Sequence, residues 1–322
     1  MTAEKDTAWI LKELEPVVEE RLNWHLDKTS NWSPHDYVPW SVGHNFYALG
    51  GEDWEPTQSK LGEAAMSAMY VNLLTEDNLP SYHRVIAKTF GYDEDNPWTA
   101  WVNRWTAEEG RHSIAMRDFL VVTRAIDPVI LEQARIDQVT QHFDSDKSPL
   151  EAMAYVTMQE LATRIAHRNT GLESEKDGEP LANNLLKRIA LDENYHMIFY
   201  RELVKAAFEV APNDMMQAVA KEVMNFQMPG TTIREFGRHA VTIANAGIYD
   251  VPLHALEVVK PTMKLWNIEK RTDVNGKGAE VQEKLGRFLN NKLYPLATNL
   301  VSGWKSKSDQ HPYLPLSEQR DI

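Results

Sequence analysis

The motif Glu-x-x-His occurs twice in this chain, as Glu109-Gly-Arg-His112 and Glu193-Asn-Tyr-His196, and nowhere else. Both copies lie in stretches whose apolar residues recur at three- and four-residue spacing. That spacing predicts helices, and on a helix residues three apart project from one face. Glu76 precedes Glu109 by 33 residues, and Glu160 precedes Glu193 by 33. The two halves of this frame are offset by 84 residues throughout, although the sequences between them are not repeated. One carboxylate from each of two helices and a Glu-x-x-His pair from each of two more must converge if they act together. A chain built to do that is an antiparallel helical bundle.

The flanking residues point inward. Glu160 sits in Tyr155-Val156-Thr157-Met158-Gln159-Glu160-Leu161-Ala162, and Glu76 follows Tyr70-Val71-Asn72-Leu73-Leu74-Thr75. An ionised carboxylate alone on such a face is costly to bury. Four carboxylates and two divalent cations sum to zero charge, which removes that cost. Without metal the carboxylates repel and some take up protons. The chain has no cysteine, so disulfides, thiolate zinc sites and iron–sulfur clusters are excluded. Histidine and carboxylate donors without sulfur suit iron or manganese. The arrangement is the ligand set of ferritin-like di-iron bundles, with Glu76, Glu109, His112, Glu160, Glu193 and His196 as metal ligands. Two irons are expected, with manganese as a possible substitute.

The rest of the chain fits an all-α fold. Helical periodicity covers roughly 7–28, 57–90, 97–125, 128–142, 148–171, 179–210, 212–227, 231–246, 252–267 and 277–303. Breakers such as Pro97, Pro128, Pro149, Gly171, Pro180 and Pro212 lie at the edges of these stretches. Pro80 falls inside the second stretch and should kink or split it. No alternating pattern of a strand appears. Residues 1–305 read as a single domain, and 306–322 as a mobile tail. The net charge of -13 argues against general nucleic-acid binding. The start of the chain lacks the basic and apolar pattern of a signal peptide, and no apolar run reaches membrane-spanning length, so a cytoplasmic protein is expected.

At the motif residues the chain resembles the acyl-[acyl-carrier-protein] desaturases, especially the bacterial ones. The matching strings are TEDNLPSYH at Glu76, WTAEEGRH at Glu109, QELATRIAHRNTG at Glu160, DENYH at Glu193, and the aromatic segment NWSPHDYVPW. The resemblance implies a ferritin-like bundle of four ligand-bearing helices wrapped by others, assembled as a homodimer. Glu109 and Glu193 match bridging carboxylates. Glu76 with His112, and Glu160 with His196, match the terminal ligands of the two irons. Thr163 matches a hydroxyl that delivers protons, and its alternative is a helix threonine bonding back to a carbonyl. Asp192, Trp105 and Trp32 match an electron route, with core packing the alternative for the tryptophans. Asp192 could also hold the outer nitrogen of a ligand histidine.

The implied reaction introduces a cis double bond into a fatty acyl chain on acyl carrier protein, using oxygen and a ferredoxin-type donor. Hydroxylation on the same centre, or a non-catalytic metal-binding protein, are the competing readings. The stretch between Glu76 and Glu109 is shorter than in plant members, so plant chain length and double-bond position do not carry over. Lys260, Lys264, Lys270, Arg271 and Lys277 are a candidate docking segment for the acidic carrier, and an ordinary solvated face is the alternative.

Overall fold

A computed structural model of the chain describes residues 8–92 and 95–305. Residues 306–322, read above as a tail, lie outside the described residues. Helix α1 (Ala8–Lys28) leads into an irregular aromatic segment of short 3-10 turns. Then come α2 (Glu63–Glu76), α3 (Leu79–Phe90), α4 (Pro97–Val122), α5 (Pro128–Thr140), α6 (Pro149–Lys176), α7 (Pro180–Val210), α8 (Pro212–Met224) and α9 (Phe236–Asn245). Helices α10 (Val251–Leu253) and α11 (Lys260–Leu265) are joined through π-helical residues His254–Val259. Likewise α12 (Gly276–Phe288) and α13 (Tyr294–Lys305) are joined through Leu289–Leu293. Among the described residues there is no strand, and no helix is long and apolar enough to cross a membrane.

Proline sets the starts of α4, α5, α6, α7 and α8, where a missing N–H costs nothing and the fixed φ suits the first turn. Asn96, Asp127 and Ser148 add side-chain caps, and Ser148 with Glu151 closes a reciprocal capping box on α6. Pro80 falls in the first turn of α3, so the long periodic stretch divides into α2 and α3. Gly171 behaves differently from its reading as a breaker, because α6 runs on to Lys176. The glycine is there for closeness. A Cβ at Gly171 would lie 2.7 Å from Asn183 Oδ1 and 3.2 Å from Asn183 Cα on α7.

Helices α6 and α7 form the longest contact of the fold, and α1, α2, α4 and α8 pack around them. The buried apolar residues form two clusters. One takes Trp98, Trp101 and Trp105 of α4, Met153 to Ile165 of α6 and Met197 to Phe208 of α7. The other takes Ala65 to Leu74 of α2, Ala115 to Leu120 of α4 and Ala182 to Ile189 of α7. On α4 and α7 the polar residues Glu109, His112, Glu193 and His196 fall between these clusters. The bundle therefore closes a polar layer between two apolar floors.

Candidate metal centre

Glu76 ends α2, Glu109 and His112 lie mid-α4, Glu160 is on α6, and Glu193 and His196 are on α7. All six are buried, with relative exposures of 8, 7, 0, 1, 1 and 0 %. The structure brings them into two groups of facing donor atoms. Glu76, Glu109, His112 and Glu193 form one, and Glu109, Glu160, Glu193 and His196 the other; within each group the donor atoms lie within 4.8 Å of one another. Glu109 and Glu193 belong to both. Glu109 turns Oε2 toward His112 Nδ1 at 3.6 Å and Oε1 toward His196 Nδ1 at 2.8 Å, the disposition of a bridge. His112 Nδ1 also lies 3.5 Å from Glu193 Oε1 and 3.8 Å from Glu76 Oε2, and His196 Nδ1 lies 3.7 Å from Glu160 Oε2.

Five atoms of the six expected ligands are buried without a hydrogen-bond partner among the described residues: Glu109 Oε1, His112 Nδ1, Glu160 Oε2, Glu193 Oε1 and His196 Nδ1. Buried polar atoms are almost always satisfied, so five facing orphans need an explanation. Two cations between them would supply it, and the oxygen and nitrogen donor set suits iron or manganese.

The layer is strained in charge when metal-free. Burial, then repulsion from Glu193 and Glu76, pushes the Glu109 carboxyl up to about 6. Burial and the Glu193 charge hold the Glu160 carboxyl well above the usual carboxylate range. Burial would raise Glu76 too, but the facing His112 and His167 rings outweigh it and hold that carboxyl low. For His112 and His196 burial disfavours the charged ring, yet the surrounding carboxylates raise both well above the ordinary imidazole value. Protons thus do in the metal-free layer what cations can do more completely.

Each central histidine is backed at its outer nitrogen. His112 Nε2 lies 3.4 Å from Asp192 Oδ2, which accepts the Trp32 indole N–H at 2.7 Å. Arg188 bonds the other Asp192 oxygen, and the Arg111 and Arg188 guanidiniums lie 5.1 and 5.7 Å from the Trp32 ring centre. His196 Nε2 lies 3.0 Å from Glu108 Oε2, which is also 2.8 Å from His25 Nε2. Glu108 is charge-matched by Arg104 at 2.5 Å, and it links His25 to His196 through hydrogen bonds. Thr163 Oγ1 lies 3.1 Å from Glu193 Oε2, and also 3.2 and 3.0 Å from the carbonyls of Gln159 and Glu160. Both alternatives for that hydroxyl are therefore within reach. Trp105 donates its indole N–H to Glu160 Oε1 at 3.3 Å, a contact that core packing alone does not require.

Three residues of the layer were not singled out in the sequence: His25, Glu108 and His167. His167 is buried, 3.1 Å from Glu76 Oε1 and 3.6 Å from Glu193 Oε1. The spacing of Glu160, Thr163 and His167 places all three on one face of α6 and was the available signal. Beside the layer opens a cavity of about 420 Å³. Leu79, Tyr82, Ile86, Phe143, Tyr155, Val156 and Met228 line it, and it reaches Glu76, Glu109, Trp105 and Thr163. Polar residues such as Gln138, Asp144, Lys147, Gln159 and Asn225 share the lining, and the size suits a small ligand.

Comparison with known proteins agrees with this geometry. The chain is 50% identical over 298 residues to DesA1 of Mycobacterium tuberculosis, a protein provisionally named an acyl-[acyl-carrier-protein] desaturase; the match covers 90% of this chain and 87% of the relative. It is 25% identical over 291 residues to the chloroplastic stearoyl-[acyl-carrier-protein] 9-desaturase 1 of Arabidopsis thaliana, covering 86% and 73% of the two chains. The X-ray structure of Mycobacterium tuberculosis DesA2 superposes with a TM-score of 0.68 at 31% identity, over 82% of this chain and 96% of that one. The profile of the fatty acid desaturases matches residues 6–312, nearly the whole sequence, and the chain belongs to the fatty acid desaturase family.

Proposed function

We propose that the chain is an oxygen-dependent acyl-[acyl-carrier-protein] desaturase that introduces a cis double bond into a carrier-bound fatty acyl chain. The observation that carries this reading is the set of five orphaned donor atoms facing one another beside a cavity that reaches Glu76 and Glu109. Glu76, Glu109, His112, Glu160, Glu193 and His196 would hold two irons, with manganese as a substitute. Bound there, the irons supply oxygen reduction and hydrogen abstraction, with two electrons from the acyl C–H bonds and two from a ferredoxin-type donor completing the reduction of oxygen to water.

The chain's own residues do the rest. The cavity walls hold the acyl chain beside Glu109 and keep bulk water from it. Thr163 holds a hydroxyl proton at the cavity edge, 3.1 Å from Glu193. Asp192 links the Trp32 indole to the outer nitrogen of His112, a continuous path from the aromatic segment to the centre. The proposed setting is cytoplasmic and the proposed assembly a homodimer of single-domain chains. For carrier docking, Lys260, Lys264, Lys270 and Lys277 are the exposed cations of the candidate segment, whereas Arg271 is committed to Asp273 and stacks on Phe208.

The test combines metal analysis with an oxygen-consuming assay on acyl-carrier substrates of several lengths. Two irons per chain and a monounsaturated product are expected. Hydroxylated product, or no bound metal, would refute the reading. Charge reversal at Lys264 and Lys270 that leaves carrier binding unchanged would remove the docking segment.

A further inference from the structure

The two terminal carboxylates each turn one oxygen inward and one outward. Glu76 Oε2 faces His112 Nδ1 at 3.8 Å, while Oε1 meets His167 Nε2 at 3.1 Å. Glu160 Oε2 faces His196 Nδ1 at 3.7 Å, while Oε1 accepts from Trp105 Nε1 at 3.3 Å. The tautomer of His167 follows from its other side. The Asn72 amide nitrogen lies 3.4 Å from His167 Nδ1, and an amide N–H donates, so Nδ1 accepts and the ring proton sits on Nε2. That proton points at Glu76. His167 is 1 % exposed and cannot swing to solvent.

We propose that His167 is a positioning residue that pins Glu76 so that it presents one oxygen to its cation, that Trp105 does the same for Glu160, and that the two cation sites are made inequivalent by these different donors. This rests on the metal reading above. The 84-residue repeat that relates the ligands does not relate their supports. The position matching His167 in the first half is His83, which bonds Thr106, and the position matching Trp105 in the second half is Ile189, which cannot donate. The supports also differ in setting. Trp105 lines the cavity together with Glu76 and Glu109, whereas His167 is not among the lining residues.

Cobalt(II) titration of the metal-free full-length chain, followed by visible absorption, tests this without any turnover. Wild type is expected to take two ions. His167→Phe should weaken one ion by about 10–100-fold, the cost typical of losing a hydrogen bond behind a metal ligand, and leave the other within about threefold. His167→Gln restores an N–H donor and should recover most of the loss. Trp105→Phe should weaken the other ion, so that the double variant weakens both. If His167→Phe fails to fold by circular dichroism, Asn72→Leu leaves the imidazole in place but unoriented and should give a smaller loss of the same sign. His167→Phe binding both ions as tightly as wild type, or His167→Gln showing no recovery, overturns the positioning role. Wild type taking up no cobalt overturns the metal reading itself, a distinct outcome.

Discussion

The two halves of the buried layer carry the same donors at the same spacing, yet they are embedded differently. Behind His112 stands Asp192, held by Arg188 and by the Trp32 indole, so that half is tied to the aromatic segment between α1 and α2. Behind His196 stands Glu108, shared with His25 of α1 and charge-matched by Arg104. His25 in turn is enclosed by Trp101 and Tyr195 rings. In one half the carboxylate behind the histidine thus accepts an oxidisable indole N–H, and in the other that carboxylate is shared with a second histidine. A matched ligand frame with unmatched supports would let one protein bind two similar ions and use them differently.

The largest effect is expected where the halves join. Glu109 faces both histidines, so Glu109→Ala should abolish uptake of both ions and all turnover, as measured by metal content per chain and oxygen consumption. His196→Ala removes a donor from one half and should lose that ion first. If either variant kept two irons and full activity, the assignment of the six donors would be wrong. Next in size is the pH dependence of uptake. Glu109 is raised to about 6, and Glu160, His112 and His196 are raised well above their ordinary values, so near neutral pH the metal-free layer carries extra protons. Metal must displace them, and affinity therefore rises with pH, from below pH 6 through neutrality and beyond. Calorimetry in buffers of different ionisation enthalpy should report proton release on binding at pH 7. Uptake without proton release would contradict the charge balance described here.

The ligand frame could be seen in the sequence because it depends on local geometry alone: i and i+3 on a helix, repeated at a fixed offset. The same holds for the split at Pro80 and the proline starts of α4 to α8. What could not be seen depends on contacts between helices. Glu108 lies next to Glu109, but its role depends on α1 bringing His25 within 2.8 Å. Trp105 read more readily as core than as an electron relay, and only the approach of α4 to α6 gives its N–H an acceptor on Glu160. Gly171 looked like a helix end because glycine is a breaker in isolation; against α7 it is a contact surface. The π-helical residues within the 251–265 and 276–305 stretches carry no local signature at all.

The third effect is smaller and separates the two supports. Trp32→Phe keeps the ring but removes the N–H that Asp192 accepts. Metal content should be unchanged, while reduction of the loaded protein by a ferredoxin-type donor slows, as followed by stopped-flow absorbance. His25→Gln alters the other support, keeps a donor toward Glu108, and should leave that reduction rate unaltered. Equal slowing in both variants would mean that the difference between the halves has no bearing on electron entry.

The smallest effect concerns the contact that sets the distance between the halves. In a free helix Gly→Ala stabilises by about 1 kcal/mol, because glycine loses more backbone freedom on folding. At position 171 the added methyl would meet Asn183 Oδ1 at 2.7 Å and the backbone Cα at 3.2 Å, and Leu186 Cβ at 3.4 Å. The Asn183 side chain is itself tied to Glu175, so it cannot simply turn aside. Overpacking of this kind costs about 1–3 kcal/mol, which exceeds or cancels the helix gain. Gly171→Ala should therefore lower the unfolding midpoint of the metal-free chain or leave it no higher, in contrast to the rise seen at an open helical site. Because α6 carries Glu160, Thr163 and His167 while α7 carries Glu193 and His196, any forced separation near Gly171 would reach the Glu76–His167 side before the Trp105 side. A raised midpoint would show that α6 and α7 have slack at this crossing, and the close approach would then lose its part in holding the two halves in register.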